Sequence, residues 1–349
     1  MTQTLSIVDL RSDTVTRPTP EMFAAIQEAA LGDDVLGDDP TVKELEALCA
    51  RMVGKEAAMY VPSGTMSNQI ALATHCRPGD AVILEEDAHI LFYEGGSPAL
   101  IAGVVTWTLP SDHGAMDPAD IKRRLLKRSD HNPETSLVCL ENTHNRAGGA
   151  VIPMDLMRDY RDLADLEGFK IHLDGARVFN AAVALGRPVS AITSLVDTVS
   201  VCLSKGLRSP VGSLLCGSAA FIQDARLWRK RLGGGMRQAG ILAACGLVSL
   251  TKMVDRLADD HRRARVLASH LNGLPGLSVD LDRVQTNMVL LETTGPAKEF
   301  VDRMAAEGVL FFPVAENRAR LVLHADIDDD NLAQAKSAFT RVTTNWRRP

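Results

Sequence analysis

Short apolar runs alternate with amphipathic stretches through most of the chain, and that alternation leaves few folds open. The runs are Ala57–Val61, Ala81–Leu84, Ala102–Trp107, Ser136–Leu140, Phe169–Leu173, Val196–Leu203 and Val211–Cys216. Each is of strand length and nearly all apolar, as expected of strands covered on both faces. Between them the spacing turns helical, as from Thr41 to Met52, from Thr65 to about His75, from Asp117-Pro118 to about Lys127 and from Asp155 to Glu167. Another helix opens at Thr19/Pro20, where proline suits the first turn, and runs to Ala30. Strands alternating with helices predict an α/β fold: a mainly parallel, seven-stranded-type sheet flanked by helices.

Length calls for a second unit. The 349 residues exceed what one ordinary core holds. Gly233-Gly234-Gly235 breaks the chain before a helical stretch from about Ala239 to Leu271. Beyond it, short strands (Leu277–Val279, Asn287–Leu291, Val309–Phe312, Arg320–Leu323) interleave with helices at Ala297–Ala306 and Asp329–Val342. The expected division is a large domain over residues 1–250 and a smaller C-terminal α+β domain over residues 251–349.

Bulk properties exclude several classes. A net charge of −6 and a pI near 5.9 argue against nucleic-acid partners. No apolar run approaches the roughly 18 residues of a membrane span. Residues Met1–Ser6 show no basic segment followed by an apolar one, so no signal peptide is expected and a cytoplasmic location is. The cysteines at 49, 76, 139, 202, 216 and 245 lie far apart inside mostly apolar segments and read as buried free thiols.

In an open α/β sheet, ligands bind at the carboxyl ends of the strands, and several polar clusters sit there. Ser63-Gly64-Thr65 joins a strand to a helix N-terminus, which suits a phosphate and equally an ordinary N-cap. His89 follows one strand and His144 another; an imidazole at either place can stack on a planar ligand or sit on the surface. Asp174 ends a buried-looking strand and needs a partner, either Arg177 as a structural ion pair or a ligand. Arg177 can instead take a carboxylate through its planar fork.

Lys205, in Ser204-Lys205-Gly206, ends the next strand. A lysine able to form a Schiff base and an aspartate able to pair with a pyridinium nitrogen are what pyridoxal-phosphate chemistry requires. No metal site is expected: His172-x-Asp174 is the one close pair and lacks a third ligand nearby in sequence. The acidic loop Gly32–Pro40 reads as capping and loop hydrogen bonding rather than a cation site. A nicotinamide dehydrogenase is disfavoured, because the triple glycine follows a helix where the dinucleotide fingerprint needs a strand.

These residues fall within longer matching stretches. They are Asp9–Pro18, Gly32–Pro40, Ser63–Thr65, Glu141–Asn145, His172–Arg177, Leu203–Leu207, Gly233–Gln238 and Arg320–His324, and in combination the chain resembles the low-specificity L-threonine aldolases. The resemblance implies the aspartate-aminotransferase-like fold (fold type I), pyridoxal 5'-phosphate as cofactor, and cleavage of L-threonine or L-allo-threonine to glycine and an aldehyde. It implies Lys205 as the Schiff-base lysine, Asp174 at the pyridinium nitrogen, His89 stacked on the ring, and Gly64 and Thr65 at the phosphate, where the neighbouring Ser204 can add a contact. Ser12, Arg177 and Arg320 would grip the substrate carboxylate, and His144 would lie near the substrate hydroxyl; His144, directly or through a water, is the expected base there, with His89 the competitor, its nitrogens less well placed by ring stacking. Arg237 would reach a neighbouring subunit's site in a homotetramer with shared active sites.

Leu36 stands where the family often has tyrosine, and the segment Ile90–Glu94 places its aromatics differently. In the family these loops border the substrate side chain, so both departures bear on the threonine versus allo-threonine preference. Within the same cofactor class, the rival reading is a lyase that β-eliminates aromatic or sulfur amino acids. A non-enzymatic pyridoxal-phosphate carrier is a further rival.

Overall fold

The computed structural model of the chain describes residues 7–344 and 346; residues 1–6, where no signal peptide is expected, lie outside the described residues. The apolar runs pair into one seven-stranded sheet. Its order is Ala57–Val61, Ser213–Gly217, Thr198–Cys202, Lys170–Gly175, Thr135–Glu141, Ala81–Glu85, Val105–Leu109. Every neighbouring pair is parallel except those made by Ser213–Gly217, which is antiparallel to both of its neighbours.

Burial accounts for the composition of these strands. Ala81–Glu85, Thr198–Cys202 and Ser213–Gly217 are buried at every position. Helices cover both faces, as continuous apolar strands demand. Local capping sets where several of them start: Ser63, Asp39, Thr19, Asp117 and Ser218 each accept a backbone N–H from the first turn. The acidic loop is consumed by such bonds. Asp39 Oδ2 accepts from Gly32 N and Gly240 N, Asp33 Oδ1 from Val35 N and Leu36 N, and Asp34 pairs with Arg229 at 2.9 Å.

A second core gathers around the four-stranded antiparallel sheet Leu277–Ser278, Met288–Thr293, Arg318–Val322, Phe312–Ala315, in that order. Phe300, Phe311, Phe339 and Trp346 cluster there. Val8 and Leu10 belong to the same core, and Val8–Asp9 pairs in parallel with Val309–Leu310. Ser12 thereby enters the site from the N-terminal segment. The expected strand Val309–Phe312 is thus two strands serving two sheets.

The expected long helix is also divided. Gly240–Val248 gives way to a π-helical turn at Ser249–Met253 before Leu257–Leu271. Ser249, wholly buried, ties this turn down: its Oγ donates to Leu207 O and lies 2.8 Å from Ser209 Oγ. All six cysteines are buried and free. No helix among the described residues is long and apolar enough to cross a membrane.

Candidate active site

A cavity of about 460 Å³ opens at the carboxyl ends of the parallel strands, between the two cores. Its wall includes Lys205, Arg177, His89 and Asn145 from the large sheet, Ser12 and Thr14 from the N-terminal segment, and Arg320 from the C-terminal sheet. Each large-sheet residue directly follows a strand, so the parallel topology converges them. Lys205 is held through its backbone, whose carbonyl accepts from Thr16 Oγ1 (2.8 Å) and Arg208 N (2.9 Å).

Arg177 is buried and forms a paired contact with Asp13: Nε donates to Oδ2 at 2.8 Å and Nη2 to Oδ1 at 2.7 Å. Burial alone would raise the Asp13 carboxyl. The Arg177 charge and hydrogen bonds, with Lys205 and His324 adding, hold it well below the usual carboxylate range. Only Nη1 of Arg177 remains without a protein partner among the described residues. Arg320 keeps more of its fork: Nη1 donates to Asn145 Oδ1 at 2.9 Å, while Nε is buried with no partner. Burial and the neighbouring Arg177 charge lower the Arg320 pKa. An anion entering between the two guanidiniums would relieve that repulsion.

Asp174 lies in the strand between Glu141 and Ser200 and is buried. Burial opposes its ionisation, but the charges of His89 and Lys205 and hydrogen bonds from Ala176 N (3.1 Å) and Asn68 Nδ2 (2.8 Å) keep its pKa lowered. A polar chain continues behind it. Asn68 Oδ1 meets His172 Nε2 at 3.1 Å, and Thr198 Oγ1 meets both His172 Nδ1 and His75 Nε2 at 2.9 Å. Burial pushes the His172 ring down to about 4, so the chain is neutral at pH 7.

His89 lines the cavity, and its Nδ1 lies 3.0 Å from Glu94 Oε1. His144 does not line it. His144 is 1% exposed, its Nε2 lies 2.9 Å from Glu85 Oε2, and its Nδ1 accepts from Ala147 N at 3.2 Å. Both ring nitrogens of His144 are engaged inside the protein in this structure, which disfavours it as the base at the substrate hydroxyl. It lies instead in a supporting layer. Glu141, whose Oε2 is 3.9 Å from His144 Nε2, accepts His89 N and Asn145 N at 2.7 and 2.8 Å and so sets two cavity residues.

Gly64, Thr65 and Ser204 are not in the cavity wall: Gly64 and Thr65 open the helix Gly64–His75, and Ser204 lies in the loop between strands Thr198–Cys202 and Ser213–Gly217. Arg237 is on the surface, paired with Asp33 at 2.9 Å and away from the Lys205 cavity of its own chain. Leu36 is 75% exposed and is likewise not in that wall, whereas Tyr93 is. Sequence reading assigned no role to Asp13, Asn68, Glu94 or Asn145. The signals for Asp13 and Asn145 were present, since both lie inside the matching stretches.

Fold and site together define an aspartate-aminotransferase-like (fold type I) protein: a large unit on a mainly parallel sheet, a smaller C-terminal sheet, a lysine that shares one cavity with two arginines, and an acid at the adjacent strand end. Residues 9–294 match the family described as β-eliminating lyase. The chain is 45% identical to a probable low-specificity L-threonine aldolase 2 of Arabidopsis thaliana, over 97% of this chain and 98% of that one. It is 39% identical to the low specificity L-threonine aldolase of Escherichia coli strain K12, with 98% of each covered. In fold it is similar to a Leishmania major threonine aldolase structure, with a TM-score of 0.83 at 20% identity over 96% of this chain and 99% of the other. The chain belongs to the low-specificity L-threonine aldolases, within the β-eliminating lyase family.

Proposed function

We propose that this chain is an aldehyde-lyase that cleaves L-threonine or L-allo-threonine, and other L-β-hydroxy-α-amino acids, to glycine and an aldehyde, using pyridoxal 5'-phosphate. The observation that carries the reading is the convergence on one cavity of Lys205, Arg177 and Arg320, with Asp174, held ionised by the His89 and Lys205 charges, beside it. The residues fit the cofactor. Lys205 would hold it through its amine and Asp174 would face its ring nitrogen. Gly64 and Thr65, with Ser204, would take the phosphate at a helix N-terminus. There the buried Ser213 Oγ has no partner and would lie 3.6 Å from a Cβ at Gly64. When bound, pyridoxal phosphate supplies an electron sink for the pair released as Cα–Cβ breaks.

The chain's own residues do the rest. Arg320 and Arg177, which both line the cavity, bind the substrate carboxylate, with Ser12 beside them. That grip fixes the direction of the Cα–Cβ bond, and orientation of this kind supplies much of a rate enhancement. Asp174, kept ionised by its neighbours, would pair with the cofactor's ring nitrogen and favour its protonated form. His89 takes the β-hydroxyl proton through Nε2, which has no protein partner among the described residues, while Nδ1 faces Glu94.

The large cofactor-binding unit would correspond to residues 1–250 and the smaller one to 251–349, except that Val8 and Leu10 pack into the smaller unit's core. A cytoplasmic homotetramer with shared sites completes the reading. Exposed Phe23, Leu31, Leu36 and Ile241 form apolar surface near the Arg237 loop that a second copy would cover. The test is product analysis with L-threonine. Glycine and acetaldehyde in equal amounts support the reading, whereas a keto acid and ammonia assign the chain to β-elimination.

A further inference from the structure

Glu94 is a buried acid, 3% exposed, that sits against the catalytic cavity without lining it. Its oxygens are saturated by donors. Oε1 accepts from Asn68 Nδ2 at 2.8 Å and faces His89 Nδ1 at 3.0 Å, and Oε2 accepts from Gln69 Nε2. The same Asn68 amide nitrogen donates to Asp174 Oδ2 at 2.8 Å. One atom each from His89, Glu94 and Asp174 therefore lies within 4.8 Å of the other two. A carboxylate oxygen can only accept, so it fixes the proton on His89 Nδ1 and leaves the Nε2 lone pair free in the neutral ring.

We infer that Glu94 is a positioning residue that locks His89 in the tautomer presenting Nε2 to the cavity, and that Asn68 joins this acid to Asp174 in one frame. The inference rests on His89 being the base proposed above. Asn68 can serve both carboxylates because His172 Nε2 engages its Oδ1 and so holds its amide face in place. Three charged groups face His89: Glu94 and Asp174, which favour the imidazolium, and Lys205, which opposes it. Tyr93 stands 5.4 Å from the ring, centroid to centroid, and Glu141 holds the His89 backbone N. Burial would lower the His89 pKa, and the Glu94 hydrogen bond and charge together with the Asp174 charge outweigh it, so the net shift is upward. Glu94 thus sets both which nitrogen reacts and the pH below which the base is blocked.

The experiment is ¹⁵N NMR of the histidine rings in the full chain, with and without pyridoxal phosphate, on wild type and Glu94→Gln. Gln69 Oε1 is a buried acceptor without a partner, so a turned Gln69 amide can receive the new NH₂ and the variant should fold. In wild type at neutral pH, His89 should carry its proton on Nδ1. In Glu94→Gln the ring midpoint should fall by about one pH unit or more, as expected when a carboxylate partner within hydrogen-bond reach loses its charge. The acid limb of kcat/KM should move the same way, with the plateau about tenfold lower. A proton on Nε2 in wild type, or a His89 midpoint that does not move in the variant, overturns the inference. The wild-type tautomer is read without any substitution, so a variant that fails to fold leaves the test intact. A midpoint that moves while the acid limb stays fixed supports the positioning by Glu94 and removes His89 as the base.

Discussion

Asp13→Asn is the sharpest perturbation of the site's support. The change keeps the shape but turns a double acceptor into a group that points an NH₂ at a guanidinium. Asp13 is fully buried and Arg177 nearly so, and two charge-assisted bonds of 2.7 and 2.8 Å are at stake, with Asn287 Nδ2 a weaker third partner at 3.4 Å. Removing one partner of a buried ion pair costs roughly 3–5 kcal/mol, mostly from the charge left behind. The cavity admits water to Arg177, so the lower end, about 3 kcal/mol, is expected. Urea unfolding of the cofactor-free chain measures it.

The pH dependence supplies a second signature. The folded Asp13 pKa lies below its unfolded value, so its contribution is complete above the unfolded value of about 3.9 and is lost as pH falls through the folded one. The gap between wild type and variant should stay constant from about pH 5 to 8 and close in acid. Equal stabilities within about 0.5 kcal/mol at pH 7, or a gap that persists unchanged in acid, would refute the reasoning.

Other outcomes follow from the same geometry. Arg320→Ala should raise KM for the amino acid by on the order of a hundredfold while cofactor binding persists, if Arg320 grips the substrate carboxylate as proposed; a titration of cofactor affinity checks the second half. His144→Asn should leave the cleavage rate within a few-fold of wild type, because His144 has no free ring nitrogen; a loss of two orders of magnitude or more would restore it as the base. Below the ordinary pKa near 6.5, the unfolded chain takes up a proton that buried His172 refuses until about pH 4. Stability should therefore fall by roughly 3 kcal/mol over that window, and the slope should be weaker in His172→Gln.

Much of the fold was legible because burial writes itself into composition. Ala57–Val61 is apolar because helices cover it on both faces, and its observed bounds are those read from the sequence. Elements that escaped did so for physical reasons. Val178–Leu185 is apolar nearly all round, so no period marks it as a helix. Ala219–Arg231 buries Ile222, Ala225 and Arg229, and a buried arginine interrupts the apolar stripe that would have announced it. Arg229 is inside because Asp34 and the Tyr60 carbonyl satisfy it, partners that sequence spacing does not reveal. The π-helical turn at Ser249–Met253 depends on a hydroxyl reaching Leu207 and Ser209, again a tertiary contact.

The site divides the same way. Lys205, Asp174 and Arg177 stood out because a charged group at the end of an apolar strand is conspicuous, whereas Arg320, inside the strand Arg318–Val322, was found only through the family resemblance. His144 was conspicuous for the same reason, yet Glu85 and Ala147 N occupy its ring. Glu94 and Asn68 carried no pattern. A carboxylate five residues after His89 gains meaning only once the short helix His89–Phe92 turns it back beneath the ring.

The central claim is that Lys205 holds the cofactor on which threonine is cleaved. The most direct measurement is the visible absorbance of pyridoxal phosphate on wild type and Lys205→Ala, each then given L-threonine and assayed for glycine and acetaldehyde. The account predicts a bound-cofactor band and turnover in wild type, with both lost in the variant. Normal cleavage by purified Lys205→Ala would contradict it.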